Sequence, residues 1–257
     1  MENKNLLSHR NTEPENSTLY LVGTPIGNIS DISKRALNIL KNAFLIACED
    51  TRQTKKLMNY YEISNNLISF NKYNCLKRVT KIIEVLASGK SIALVSDAGM
   101  PGICDPGEEL VKRVRSLGFN VICIPGPCSA ITALVTSGFS SSKFIFEGFL
   151  PKKGIDRERS LIEISKNTKT TIIFESPHRI KKLLKELKKY CGGSRRVEIA
   201  RELTKKFEEH IGSNVNELID IFENKEPRGE FTILIKGVDL SEEINFNKEE
   251  LKKELQY

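Results

Sequence analysis

Two aspartates, Asp97 and Asp105, stand eight positions apart in the run from Ser96 to Gly107, whose glycines and prolines exclude regular structure. An aspartate directly after an apolar strand can accept hydrogen bonds from ribose hydroxyls or an amino group, so Asp97 reads as ligand-facing. Asp105-Pro106 has the composition of a helix N-cap and first-turn pair, so Asp105 reads as a cap. Two further glycine- and proline-rich turns, Gly23–Asn28 and Pro125–Pro127, also follow strand-like runs. Glycine at such points lets the backbone approach a ligand closely. Three turns at corresponding places define a ligand cleft. Neither the P-loop fingerprint nor GxGxxG occurs, so the two standard nucleotide sites are excluded.

The elements that must position these turns are short apolar runs alternating with helical patterns, as in βαβ units with a parallel sheet. Strands are expected at Thr18–Gly23, Phe44–Cys48, Leu67–Phe70, Ile92–Ser96 and Val121–Ile124. Between them run helices through Asn42 (capped by Asp31), after Arg52, over Val79–Ala87 and up to Leu117; an apolar helix, Ser129–Thr136, follows. Proline, glycine and basic residues in Phe149–Gly154 interrupt the pattern and place a domain boundary there, giving domains over 18–148 and 149–238. The second repeats the alternation, with helices at 157–165, Arg179–Tyr190 and 214–223 and strands Thr170–Phe174, Val197–Ala200 and Phe231–Lys236. Residues 1–17 read as a disordered leader and 239–257 as an acidic tail.

The 257 residues carry a net charge of +7, and its placement is uneven. Residues 150–206 hold 17 Lys/Arg against seven Asp/Glu, leaving the remainder slightly negative. Such a concentration suits a phosphate-bearing partner or a solvated surface. Cys48, Cys75, Cys104, Cys123, Cys128 and Cys191 are scattered without paired spacing, so they read as buried, reduced thiols rather than a disulfide or zinc framework. No metal is expected. With no apolar window of membrane-spanning length and a polar N-terminus, the chain is expected to be cytoplasmic.

The blocks VGTPIGN, EDTR, SDAGMPGICDPG, PGPCSAITAL, FEGFLP, ESPHR, ARELTK and PRGEF occur in this order over residues 19–237. In combination they resemble the bacterial ribosomal RNA small-subunit methyltransferase I family, within the tetrapyrrole-methylase superfamily. The resemblance implies a two-domain α/β fold, each domain an α/β sheet sandwich, with S-adenosylmethionine in the interdomain cleft. It implies a homodimer that methylates a cytidine ribose 2′-hydroxyl in small-subunit rRNA. Carried over by position, the cofactor residues are Thr24, Pro25, Asp97, Ala98, Gly99, Met100, Cys128, Ser129, Leu150, Leu203, Gly229, Glu230 and Phe231. The resemblance implies an additional small helical domain in longer members, whereas this sequence stops at Tyr257 after one incipient helix.

Methyl transfer to a hydroxyl needs the nucleophile aligned in line and its proton accepted. Glu49, Asp50 and Arg52 of EDTR, Glu175 and His178 of ESPHR, and Glu202 and Lys205 of RELTK are the candidates to align or deprotonate. Taken singly, each reads first as a salt-bridge member, in pairs such as Asp50–Arg52 or Arg201–Glu202. Lys205 qualifies as a base only if burial or its cationic neighbours lower its pKa. His178 reads as structural or phosphate-contacting. Tyr60, Tyr61 and Tyr73 read as sheet-edge or dimer packing, with stacking on single-stranded RNA the alternative. Rival functions are a small-molecule or tetrapyrrole methylase and a non-catalytic RNA-binding scaffold; the basic segment favours RNA.

Overall fold

The computed structural model describes residues 12–239. It divides into two compact units, 1–128 and 129–257. The division falls at Cys128/Ser129, ahead of the expected boundary near Phe149, because the helix and strand that follow Ser129 pack on the second unit's sheet. The acidic tail beyond residue 239 and the first eleven residues of the expected leader lie outside the described residues. Residues 12–17 are held in place. Glu13 makes a two-point ion pair with Arg35, at 2.6 Å for each contact, and the Glu15 N–H donates to the Tyr20 hydroxyl.

The first unit runs β1 (Thr18–Val22), α1 (Lys34–Asn42), β2 (Leu45–Cys48), α2 (Thr51–Tyr60), β3 (Leu67–Ser69), α3 (Cys75–Ala87), β4 (Ile92–Val95), α4 (Glu108–Ser116) and β5 (Asn120–Ile124). Its sheet, ordered β3-β2-β4-β1-β5, is parallel throughout. The central strands β2 and β4 are buried along their whole length, as a sheet covered on both faces requires. Ala36, Ile39 and Leu40 of α1 and Met58 of α2 pack on one face. Val79, Ile82 and Leu86 of α3 and Leu110 and Val114 of α4 pack on the other. The chain leaves β1 toward β2 but leaves β4 toward β5, so adjacent strands β1 and β4 send their connections in opposite directions. That is a topological switch point, where open α/β sheets bind ligands.

Two capping expectations change. Ser33, not Asp31, caps α1, its hydroxyl accepting from the Ala36 N–H at 3.0 Å. Gly107, not Asp105, occupies the N-cap of α4, and Glu108 and Glu109 supply the negative charge that its first turn favours.

The second unit runs α5 (Ser129–Ser137), β6 (Phe144–Phe149), α6 (Ile155–Lys166), β7 (Thr170–Glu175), α7 (Pro177–Cys191), β8 (Val197–Arg201), β9 (Glu209–Ile211), α8 (Val215–Asn224) and β10 (Phe231–Ile235). Its sheet, ordered β6-β7-β10-β8-β9, is mixed rather than parallel. Among hydrogen-bonded neighbours only β6 and β7 pair in parallel; β10 is antiparallel to both β7 and β8, and β9 is antiparallel to β8. The reason is local, since a helix-free loop joins β8 to β9 and permits no parallel crossover. Alternation sends Ile173, Ile199, Ile233 and Ile235 toward α6, α7 and α8. α7 buries Ile180, Leu183, Leu184 and Leu187 there, each contributing about 1.5–3 kcal/mol of apolar burial.

Candidate functional site

The first group of expected residues gathers at the carboxyl ends of the first sheet's strands, around the switch point. The loops after β1 and β4 are joined by a pair of hydrogen bonds, Thr24 N–H to the Gly99 carbonyl at 2.9 Å and Gly99 N–H to the Thr24 carbonyl at 3.1 Å. The buried Thr24 hydroxyl points the same way, 3.3 Å from the Ser96 carbonyl. The turn after β5 closes against the same place. A Cβ on Gly23 would lie 2.7 Å from the Gly126 Cα and 2.7 Å from Met100 Sδ, so both glycines are needed for the two backbones to touch. Thr24, Pro25, Asp97, Ala98, Gly99 and Met100 are thereby placed along one lip.

Asp97 projects from the end of β4, and its Oδ1 accepts the backbone N–H of Asp50 at 3.0 Å. Asp50 also caps α2, accepting from the Arg52 N–H at 2.8 Å, and pairs with the Arg52 guanidinium at 2.6 Å. These contacts hold the Asp50 carboxyl down at about 2. Glu49 behaves oppositely: burial first, then the charges of Asp105 and Asp97, raise it, while Lys72 acts against them. Burial likewise raises Asp97, and raises Asp105 despite a hydrogen bond with the Ser96 side chain. Asp105 is thus turned toward the site that sequence reasoning had denied it, because Asp-Pro spacing fits a cap as well as a loop. The carboxylates feel one another without converging. Among the described residues no three His, Cys, Asp or Glu side chains meet as a metal-ligand set.

The second group lies in the other unit. Glu202 and Thr204 adopt positive φ, 51° and 64°, a costly conformation outside glycine. The Glu202 N–H donates to the Glu230 carbonyl at 3.0 Å, and Glu202 Oε1 accepts the Glu230 N–H at 3.0 Å. Gly229, at φ 90°, leaves room for the Glu202 side chain, whose Cγ would lie 2.6 Å from an added Cβ. Lys205 Nζ bridges Glu202 at 2.9 Å and Glu230 at 2.8 Å. The two carboxylates outweigh desolvation and raise the Lys205 pKa, so the condition for its service as a base is not met. The expected Arg201–Glu202 pair is not formed; Arg201 pairs instead with Glu209 at 2.6 Å.

The side chains of Leu150, Leu203 and Phe231 are buried, Leu150 and Phe231 in the core, and Phe231 is paired with both β7 and β8. Glu175 is withdrawn too. It is 2 % exposed and ion-paired with Arg179 at 2.6 Å and Arg157 at 3.9 Å, and the buried Arg157 pairs with Glu186 at 2.6 Å. Arg157 Nη1 also donates to the Pro151 carbonyl at 2.8 Å, tying down the FLP turn. Ser176 occupies the N-cap of α7 with Pro177 next, but its side chain makes no capping bond. His178 stands in that first turn.

α7 keeps Leu183, Leu184 and Leu187 inward as its spacing predicts. Its exposed Lys181, Lys182, Lys185 and Lys189 line one shallow depression with Glu186. None of the six cysteines forms a disulfide, and Cys104 and Cys123 are exposed, unlike the buried thiols expected. No helix among the described residues is long and apolar enough to cross a membrane.

This strand-end architecture matches a known class. The sequence pattern of the Tetrapyrrole (Corrin/Porphyrin) Methylases covers residues 18–219, and the chain belongs to that family. A cobalamin biosynthetic enzyme, cobalt precorrin-4 methyltransferase, superposes with TM-score 0.67 at 18% identity, covering 86% of this chain and 95% of the other. Diphthine synthase superposes with TM-score 0.64 at 13% identity, covering 85% and 90%. At these identities the likeness shows the fold. The chain is also 46% identical over 219 residues to the ribosomal RNA small subunit methyltransferase I of Thermotoga maritima, covering 85% of this chain and 98% of the relative. The relative of that name from Bacillus subtilis is 43% identical, covering 91% and 80%. Within the tetrapyrrole methylases, the chain is a member of the ribosomal RNA small subunit methyltransferase I family.

Proposed function

We propose that this chain is an S-adenosylmethionine-dependent methyltransferase acting on a cytidine ribose 2′-hydroxyl of small-subunit (16S) ribosomal RNA. The observation that carries the reading is 46% identity across 98% of a relative bearing that family name. The first unit's site fits the methyl donor. Burial first, and the neighbouring carboxylates second, raise the carboxyls of Glu49, Asp97 and Asp105 against the pull of Lys72 and Arg52. A sulfonium or ammonium group placed beside them would add the positive charge they favour. Gly23 and Gly126 keep side chains off the backbones beside them.

When bound, S-adenosylmethionine supplies an activated methyl group on a positively charged sulfur. Asp97 would accept from a ribose hydroxyl or the ammonium, with backbone groups of Thr24, Pro25, Ala98, Gly99 and Met100 completing the contact. Glu49 is the proton acceptor of the set, because its raised pKa makes it a better base than Asp50, which stays ionised to about 2. Arg52 fixes Asp50, and so the turn that carries Glu49. Glu202, Lys205 and Glu230 form a locked loop in which Lys205, held between two carboxylates, orders the loop rather than serving as a base. The enzyme is proposed to work in the cytoplasm as a homodimer on the small ribosomal subunit or its rRNA.

The test is methyl transfer from a tritiated donor to small subunits, naked rRNA and a tetrapyrrole precursor in parallel. Label in an alkali-resistant dinucleotide establishes 2′-O-methylation. Label in the tetrapyrrole alone overturns the reading.

A further inference from the structure

Tyr73 is 99% exposed, and Leu76, one helical turn further on, is 76% exposed. The fold gains nothing from either ring or side chain, although both stand at the carboxyl edge of the first sheet. The turn that carries Tyr73 is nevertheless tightly built. Asn71 N–H donates to the Asn74 side chain at 2.9 Å, and Tyr73 N–H donates to the Asn71 side chain at 3.0 Å. Both asparagine amides then reach the Ser69 hydroxyl, at 3.1 and 3.2 Å. A solvent-exposed aromatic on a fixed turn is a surface shaped for something outside the chain.

Its surroundings say what. From Phe70 to Ile83 the sequence holds Lys72, Lys77, Arg78 and Lys81 and no acidic residue. The turn also adjoins the loop bearing Glu49. Ser69 pairs with Cys48, and the Phe70 N–H donates to the Cys48 carbonyl at 2.7 Å, so the residues after β3 lie beside those after β2. Every nucleobase has a π-face, and aromatic side chains flanked by cations bind unpaired strands by stacking, with phosphates held alongside.

We infer that the Asn71–Asn74 turn presents Tyr73 as a stacking platform for an unpaired nucleobase of the RNA strand that carries the acceptor ribose, with Lys72, Lys77 and Arg78 toward its phosphates. The inference deepens the proposed RNA reading and rests on it.

The chain contains no tryptophan, so Tyr73→Trp installs a single indole, selectively excitable over the remaining tyrosines, at the platform. Its emission is followed on titration with single-stranded oligocytidylate and with an RNA duplex of equal length. Tyr73→Ala and Tyr73→Phe are assayed beside wild type for methylation of small ribosomal subunits. The expected result is quenching by the single strand and not by the duplex. Tyr73→Ala should raise KM for subunits by roughly 5- to 150-fold, the worth of one stacked base. It should leave single-turnover rate at saturation, donor affinity and melting temperature unchanged, and Tyr73→Phe should stay near wild type. An unchanged KM in Tyr73→Ala, equal losses in the Ala and Phe variants, or an unquenched indole in an RNA-bound protein overturns the platform while leaving the RNA reading intact. An indole shielded by protein concentration alone assigns the ring to a contact between copies and also overturns it. A wild-type protein that methylates no RNA removes both.

Discussion

The Asp97 carboxylate accepts the backbone N–H of Asp50 at 3.0 Å, joining the loop after β4 to the loop after β2. One side chain thereby serves two ends: it is a candidate donor ligand, and it sets the turn that carries Glu49. Replacement by alanine removes both functions, whereas asparagine keeps an acceptor oxygen and removes only the charge. Asp97→Ala should weaken S-adenosylmethionine binding by roughly 10- to 150-fold, the loss expected for one charge-assisted hydrogen bond. Asp97→Asn should lose donor affinity but keep the Asp50 amide protected from hydrogen exchange. Calorimetry showing unchanged affinity in a folded Asp97→Ala variant would remove Asp97 from the site.

Glu49 makes a second prediction through pH. Burial, with Asp105 and Asp97, raises its carboxyl above the ordinary value against the pull of Lys72, so the folded protein holds this proton more firmly than the unfolded chain does. Stability contributed by that preference is present in acid and is lost as pH rises through the folded pKa. Glu49→Gln, always neutral, should therefore melt above wild type at neutral pH and lose that margin in acid. Methyl transfer should fall about 10²- to 10⁴-fold if Glu49 accepts the proton. A variant with unchanged turnover assigns the base elsewhere.

Arg157 is a structural test of the second unit. It is 3% exposed, and three acceptors, Glu186, Glu175 and the Pro151 carbonyl, depend on it. Arg157→Met should cost about 1–3 kcal/mol, because Glu186 and the Pro151 carbonyl lose their donor while Glu175 keeps Arg179. Arg157→Lys should recover only part of that, since an ammonium cannot reproduce the two-point contact with Glu186. Chemical denaturation followed by a probe in the second unit reads the loss; a change below about 1 kcal/mol would show that the network is dispensable.

The basic face of α7 predicts a salt effect. Replacing Lys182, Lys185 and Lys189 with glutamine should spare the fold, whose helix face of Ile180, Leu183, Leu184 and Leu187 is untouched. Each lost phosphate contact should reduce the slope of log affinity against log salt by about 0.7–0.9. An unchanged slope would make the face merely solvated.

Much of the first unit was legible in its sequence because β1, β2 and β4 are runs of largely buried residues, each ending in a glycine- or aspartate-bearing turn. Ile92–Val95 followed by Asp97 is the clearest case. β6 escaped notice because Gly148 breaks its alternation, with a register shift between Phe146 and Gly148, and β9 because Glu209-His210-Ile211 is short and polar. The site was legible in its motifs but less so in its roles. Lys205 and Glu175 look like free chemistry in one dimension, yet partners remote in sequence, Glu230 for one and Arg157 for the other, neutralise them. Tyr73 gave the opposite lesson. Sequence cannot tell a tyrosine tucked against a sheet edge from one raised into solvent, and the Asn71–Asn74 turn settles it.

The reciprocal bonds between Thr24 and Gly99 make one extra rung of the first sheet out of what would otherwise be two separate loops. A binding surface made this way inherits the stiffness of its strands. A ligand docking on it freezes few backbone rotations, so the entropic cost of association rests on the ligand's own flexibility. Affinity at this lip then becomes a matter of how rigid the visitor is, and conformationally locked analogues of the donor gain more here than at a site that must fold around its guest.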